Sequence, residues 1–140
     1  MNELTLAPHQ RTFIDTALGT GFALWCGIEL IDLAAGSARL RLRPRAEILT
    51  PWNTLNGGVM NSLLELPAVF SLLLELEEGE LPVTNDIFVQ HLRPMPNTEY
   101  ELRGTLLRRG RTMAWAEASA WAGDKLVSVA RVTKTLTKPG

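Results

Sequence analysis

The spacing of apolar and polar residues changes period along the chain, and the changes outline its elements. Residues 8–18 suit a short leading helix, ended by Gly19-Thr20-Gly21. Residues 22–33 are rich in apolar and β-branched side chains and read as a strand that stops at Ala35-Gly36. Residues 37–43 alternate strictly, with Ala38, Leu40 and Leu42 on one face and Arg39, Arg41 and Arg43 on the other, the pattern of a half-buried antiparallel strand. The arginine row is either the wet face of a sheet or a face turned to a partner subunit. A loop covers 44–54. Asn56-Gly57-Gly58 then leads into a leucine-rich segment, 59–76, that predicts a helix ended near Glu78-Gly79. Its apolar residues run nearly all the way round, so the helix is expected to be buried on most sides. Four strands follow over 83–93, 98–109, 111–121 and 125–137, joined through Pro94 to Asn97, Gly110 and Gly123-Asp124. Turns this short imply antiparallel neighbours.

The order helix, two strands, long helix, four strands predicts an α+β fold: a curved antiparallel sheet of about six strands wrapped around a long central helix. A parallel α/β sheet would need a helix between most strands. The 140 residues suit a single domain over 1–140. A content of 46% hydrophobic and 21% charged residues is that of a globular chain, and a net charge of -1 gives no pull towards nucleic acid or an anionic membrane. One cysteine, Cys26, cannot form an internal disulfide, which makes the cytoplasm the expected location. Set between Trp25 and Gly27, it suits the core better than a nucleophile's role. The first residues lack the basic segment and apolar run of a secretory signal. Residues 63–76 are interrupted by Glu65, Pro67, Ser71 and Glu75, short of the ~18 uncharged residues of a membrane span, so a soluble protein is expected.

Inside the predicted helix stands one carboxylate, Glu65, with Asn61 and Ser62 one turn before it and Ala68 and Val69 one turn after. Sheltered by leucines, such a group would have its pKa raised by desolvation and would suit acid–base work near neutral pH. On the exposed side of an amphipathic helix it would simply be solvated. The two glycines after Asn56 leave backbone amides bare at the helix start, where the dipole adds positive charge, a place for an oxyanion. An ordinary helix cap at Asn56, or a hairpin turn, is the alternative reading of the same residues. Arg108, Arg109 and Arg111 flank the Gly110 turn and Arg93 closes the preceding strand; they suit the phosphates of a nucleotide tail, or form a solvated rim. Trp52, in a loop before the helix, is a candidate wall for an acyl pocket. His9 and His91 are the only histidines and lie far from Cys26, so no metal-ligand cluster is expected. No Gly-x-Ser-x-Gly elbow, P-loop or dinucleotide motif is present.

The run Asn56-Gly57-Gly58-Val59-Met60-Asn61-Ser62-Leu63-Leu64-Glu65 resembles the His-Gly-Gly…Asp/Glu signature of hotdog-fold acyl-CoA thioesterases of the phenylacetate-degradation type, in the 4-hydroxybenzoyl-CoA thioesterase superfamily. The segment from Val83 to Pro94 is similar to the family's strand ending in Arg-Pro, and 107–113 and 124–130 are similar to its last strands. The resemblance runs from about Phe22 to Leu136. It implies that Glu65 acts as nucleophile or as base toward water, that the Gly57 N–H meets the thioester carbonyl, and that Thr84 helps place the water or the carboxylate. It implies a homodimer, with Thr84 serving the Glu65 of its partner, and dimers that pair into a homotetramer. It places the coenzyme A tail along Arg93, Arg108, Arg109, Gly110 and Arg111. Coenzyme A is then part of the substrate and no separate cofactor is expected.

The chain departs from that pattern at the helix start, where Asn56 replaces the usual histidine and Thr50 a common asparagine. Neither replacement titrates near neutral pH, and what is left to Asn56, or to Asn53, is to hydrogen-bond the thioester carbonyl or to orient the helix start. Pro67 removes a hydrogen bond inside the helix and predicts a kink that re-aims Glu65. The leading expectation is hydrolysis of a small aromatic or short-to-medium-chain acyl-CoA. A hotdog protein that holds acyl-CoA or an acyl carrier without hydrolysis comes second, and a dehydratase or hydratase, which would want a histidine at the helix start, comes last.

Overall fold

Alternating strands occupy most of the C-terminal half of the chain, and in the computed structural model, which describes residues 5–138, they form one sheet. Residues 1–4, part of the segment expected to carry no signal, and 139–140 lie outside the described residues. The elements are α1 (Pro8–Gly19), α2 (Gly21–Cys26), β1 (Glu29–Ala34), β2 (Ser37–Leu42), α3 (Gly57–Leu63), α4 (Glu65–Leu72), β3 (Leu81–His91), β4 (Tyr100–Arg109), β5 (Met113–Ala122) and β6 (Lys125–Thr137). The six strands pair antiparallel in the order β1-β2-β4-β5-β6-β3. β3 leaves the helix for the far edge and pairs with β6 alone.

The inner face of the sheet is apolar and its middle is thin. β5 contributes buried Ala114, Ala116, Ala118 and Ala120 there, and β2 and β4 contribute Leu40, Leu42 and Leu102. Small side chains on β5 leave room for the central helix, which packs mainly on β4 with β2 and β5 beside it. The approach is closest at Gly104 of β4. A Cβ there would lie 1.8 Å from the carbonyl oxygen of Pro67, so only glycine fits. On the outer face Arg39, Arg41 and Arg43 pair with Asp32, Glu29, Glu99 and Glu101, a charge-balanced wet surface.

Two elements differ from the sequence pattern. Residues 22–33 are not one strand: α2 occupies the first part and β1 begins at Glu29. The β-branched residues of that stretch, Ile28 and Ile31, lie outside α2. Gly27, at φ 73°, ends the helix by donating its amide to the carbonyls of Ala23 and Leu24. The central helix is also not continuous. It starts at Gly57, breaks at Leu64 and ends in a 3-10 turn, Leu73–Glu75. Pro67 has no N–H to give the Leu63 carbonyl, which accounts for the break and agrees with the expected kink. Taken as one stretch, Gly57–Glu75 is long and apolar enough to cross a bilayer by length and composition, but here it fills the sheet's concavity with just over half of it buried.

Candidate functional site

The opening turn of α3 is organised by Asn56. Its Oδ1 accepts the amides of Gly58 at 2.8 Å and Val59 at 3.3 Å, so the capping reading holds. Gly57 is then the amide of that turn which the cap does not take. Against it lies His91, from the end of β3: a Cβ on Gly57 would stand 3.4 Å from the imidazole Nε2. The ring's Nδ1 is 2.7 Å from the Ser128 hydroxyl on β6, which orients it.

Glu65 is the first residue of α4, beyond the break, so the carboxylate and the opening amides sit on separate helical segments. Its surroundings are not a leucine cage. The Thr84 hydroxyl on β3 donates to Glu65 Oε1 at 2.5 Å, and Lys134 Nζ on β6 donates to Thr84 Oγ1 at 2.5 Å while standing 3.5 Å from the same Oε1. The Glu65 side chain remains 34% exposed, whereas that of Lys134 is 8% exposed. Burial pushes the Lys134 ammonium below its ordinary pKa, and the charge of Glu65 opposes that shift. Thr84 reaches the Glu65 of its own chain. The reason is local: β3 folds back along β6, bringing Thr84 beside Lys134 under the start of α4.

The arginines do not form one patch. Arg93 lies just past β3, at the end of the sheet where Leu92 donates its amide to Val127, and lines a groove with Thr54, Pro94, Pro96 and Lys125. Arg109 pairs across to Ala114, which is level with Lys134 on β6. The two groups are therefore separated by the span from Val127 to Lys134, about 23 Å along a strand. Arg109 gives two hydrogen bonds to the buried Glu80, at 2.9 and 3.0 Å, and is engaged within the chain. Arg108 lies over the Trp115 ring at 5.4 Å, while Arg111, beside Gly110, is exposed. Trp52 is 81% exposed and lines none of the described cavities. Cys26 is buried, and burial pushes its thiol up, as suits a core residue. Glu65 does not line the described cavities; the largest of these, about 640 Å³, lies between α1 and the end of the central helix.

Sequence reasoning missed His91, Ser128 and Lys134. A signal existed for the lysine: in β6, Ala130, Val132, Lys134 and Leu136 share one face, so alternation places a cation in the apolar row. His91 carries a similar signal, since strand parity sets it with Ile87 and Val89 on the face turned to the helix.

A six-stranded antiparallel sheet wrapped around a two-segment helix, with an acid opening the second segment, defines a hotdog-fold protein carrying a carboxylate site. The chain belongs to the thioesterase superfamily, a class of thioester hydrolases, whose sequence profile matches residues 53–129. That match covers Asn56, Gly57, Glu65, Thr84, His91 and Ser128 and stops before Lys134. A Haemophilus influenzae protein that carries an esterase name is 34% identical over 86 residues, covering 61% of this chain and 62% of the relative. The match thus spans less than two thirds of that relative's length. A Haemophilus influenzae thioesterase of known structure superposes with a TM-score of 0.82 at 25% identity, over 89% of this chain and 88% of the other. A variant of the phenylacetic acid degradation protein PaaI from Thermus thermophilus shares the fold, with a TM-score of 0.74 at 21% identity over 81% of this chain and 96% of that one.

Proposed function

We propose that the chain hydrolyses acyl-CoA thioesters, with Glu65 as nucleophile or general base and the Gly57 amide as oxyanion donor. The observation that carries this reading is the Glu65 carboxylate, gripped at one oxygen by Thr84 of β3 and set one helical segment beyond an opening turn whose cap passes over Gly57. In the base route, Glu65 takes a proton from water as the water oxygen bonds to the thioester carbonyl carbon. The carbonyl oxygen gains negative charge and is held by the Gly57 N–H. Collapse of this intermediate breaks the C–S bond, coenzyme A leaves as thiolate and takes up the proton, and the acyl group departs as a carboxylic acid. In the nucleophile route a Glu65 oxygen bonds to the carbonyl carbon, the C–S bond breaks and coenzyme A leaves as thiolate; water then cleaves the resulting anhydride, releasing the carboxylic acid, restoring the Glu65 carboxylate and giving its second proton to the thiolate. Neither route needs a metal or redox cofactor, since coenzyme A is part of the substrate. His91 supports both: its ring packs on Gly57, so a titratable group stands beside the turn although position 56 is asparagine.

The acyl group is read as small and aromatic, or as a short-to-medium chain, and the site of action as the cytoplasm. Self-association belongs to the same reading. β3 is an edge strand whose Val83 and Phe88 are exposed, which invites a second copy. A two-fold axis across that edge brings opposite ends of the two sheets together, so Arg93 and Lys125 of one copy approach the Arg108 and Arg111 end of the other. Such a pair gives the phosphates of coenzyme A a basic path that one chain lacks.

The test is thiol release from a panel of acyl-CoAs, run beside a binding measurement. Glu65→Gln should keep binding and lower kcat by on the order of 10³-fold or more. Near-normal kcat in that variant removes Glu65 from the chemistry. Tight binding by the unaltered protein with no thiol released from any member makes it a non-catalytic acyl-CoA holder.

A further inference from the structure

We propose that Lys134 is a positioning residue for Glu65: through Thr84 it ties one carboxylate oxygen to the sheet and leaves the other to face water and substrate. The inference rests on the thioesterase reading and adds to it a part that lies outside the family match.

A lysine has no structural reason to be in the inner row of β6. Ala130, Val132 and Leu136 on either side are buried and apolar, and a leucine or methionine at 134 would fill the same space without a desolvated charge. What the ammonium does touch is specific. Lys134 Nζ donates to Thr84 Oγ1 at 2.5 Å. A threonine hydroxyl has a single proton, so a donor on its oxygen steers that proton elsewhere. It goes to Glu65 Oε1, also at 2.5 Å. Lys134 itself stands 3.5 Å from that same oxygen. Both contacts converge on Oε1, and Oε2 takes neither.

The arrangement has a direction: ammonium to hydroxyl to carboxylate, from β6 through β3 to α4. The neighbour of Lys134 across the sheet on β5 is Ala114, and the next cation in that line, Arg109 on β4, is bound to Glu80. Glu65 is thus the carboxylate that Lys134 serves. Pro67, two residues on, removes a hydrogen bond from the first turn of α4, and an anchor from the sheet steadies the side chain that opens it.

The experiment compares Lys134→Met, Lys134→Arg and Thr84→Val with the unaltered protein in the thiol-release assay, after thermal melts have established that each is folded. Lys134→Met should lose roughly 10- to 100-fold in kcat with KM within about twofold, the effect of a misaimed group rather than of lost binding. Lys134→Arg should recover part of the loss. Thr84→Val combined with Lys134→Met should be no worse than the poorer single variant, because both break one chain of contacts. A second arm needs no activity: NMR titration of isotope-labelled lysine in the unaltered protein and in Glu65→Gln, where loss of the carboxylate should move the Lys134 titration to lower pH. Unchanged kcat in folded Lys134→Met, or a Lys134 titration indifferent to Glu65→Gln, overturns the proposal. If the unaltered protein releases no thiol, the thioesterase reading is what fails, and the titration alone decides whether the two groups are coupled.

Discussion

At the scale of single residues, Lys134 has a thermodynamic signature as well as a catalytic one. Its folded pKa lies below the ordinary 10.5 because burial penalises the charged form. Between the folded value and 10.5 the unfolded chain binds more protons than the folded one, so stability rises with pH across that window. The penalty is fully present below the folded pKa and gone above the unfolded one. In urea titrations from about pH 7 to 10.5, the unaltered protein should therefore gain stability relative to Lys134→Met as pH rises. A difference that stays flat with pH would mean that no buried charge is relieved. Tyr100, whose hydroxyl burial pushes up to about 12, works in the opposite sense above pH 10, and the comparison with the methionine variant cancels it. Lys134 was legible in the alternation of β6, as was the acid Glu65 in its apolar helix. What one sequence does not state is the pairing: Thr84 and Lys134 are fifty positions apart, and only strand register brings them together. Asn56 shows the same limit, since a cap and an oxyanion turn share one composition; the bond lengths separate the work of the Asn56 side-chain oxygen on Gly58 and Val59 from the part left to Gly57.

At the scale of elements, the long helix and the four C-terminal strands could be read because each repeats its period many times. The helix α2 could not, being six residues long and made of side chains that strands also use. Pro67 announced a kink, and the structure sets the break at Leu64, one residue before the acid. The sheet's tolerance of that helix depends on Gly104. Replacing it with alanine sets a methyl against a backbone carbonyl, which no side-chain rotation can relieve. Gly104→Ala should destabilise the protein by about 1–3 kcal/mol in chemical denaturation, and should lift the helix enough to lower activity too. A variant as stable as the parent would mean that helix and sheet are not in contact at this point.

For the molecule as a whole, the sheet has one protected flank and one open one. β1 closes one side with a short strand laced by ion pairs, whereas β3 presents an eleven-residue edge with exposed Val83 and Phe88. Placing a charge there, as in Phe88→Lys, should shift sedimentation from a dimer or larger species to a single chain and reduce thiol release with it. Sedimentation of the unaltered protein as a single chain at micromolar concentration would remove the edge as an interface. The distribution of arginines belongs to this scale as well. Arg93 and Arg108 are near in sequence, yet a strand lies between them, and its length carries them to opposite ends of the sheet; composition could identify a basic set but not its division.

The irregular pairing between Thr84 and Asp86 in β3 has a consequence for how this protein can change over generations. Thr84 and His91 are an odd number of positions apart, and an uninterrupted pleat would turn one of them outward. The extra residue resets the count so that one meets the acid and the other the opening glycine. Losing or gaining a single codon between those two positions sends one of the two partners out of the cleft, so descendants that keep the chemistry must keep that spacing.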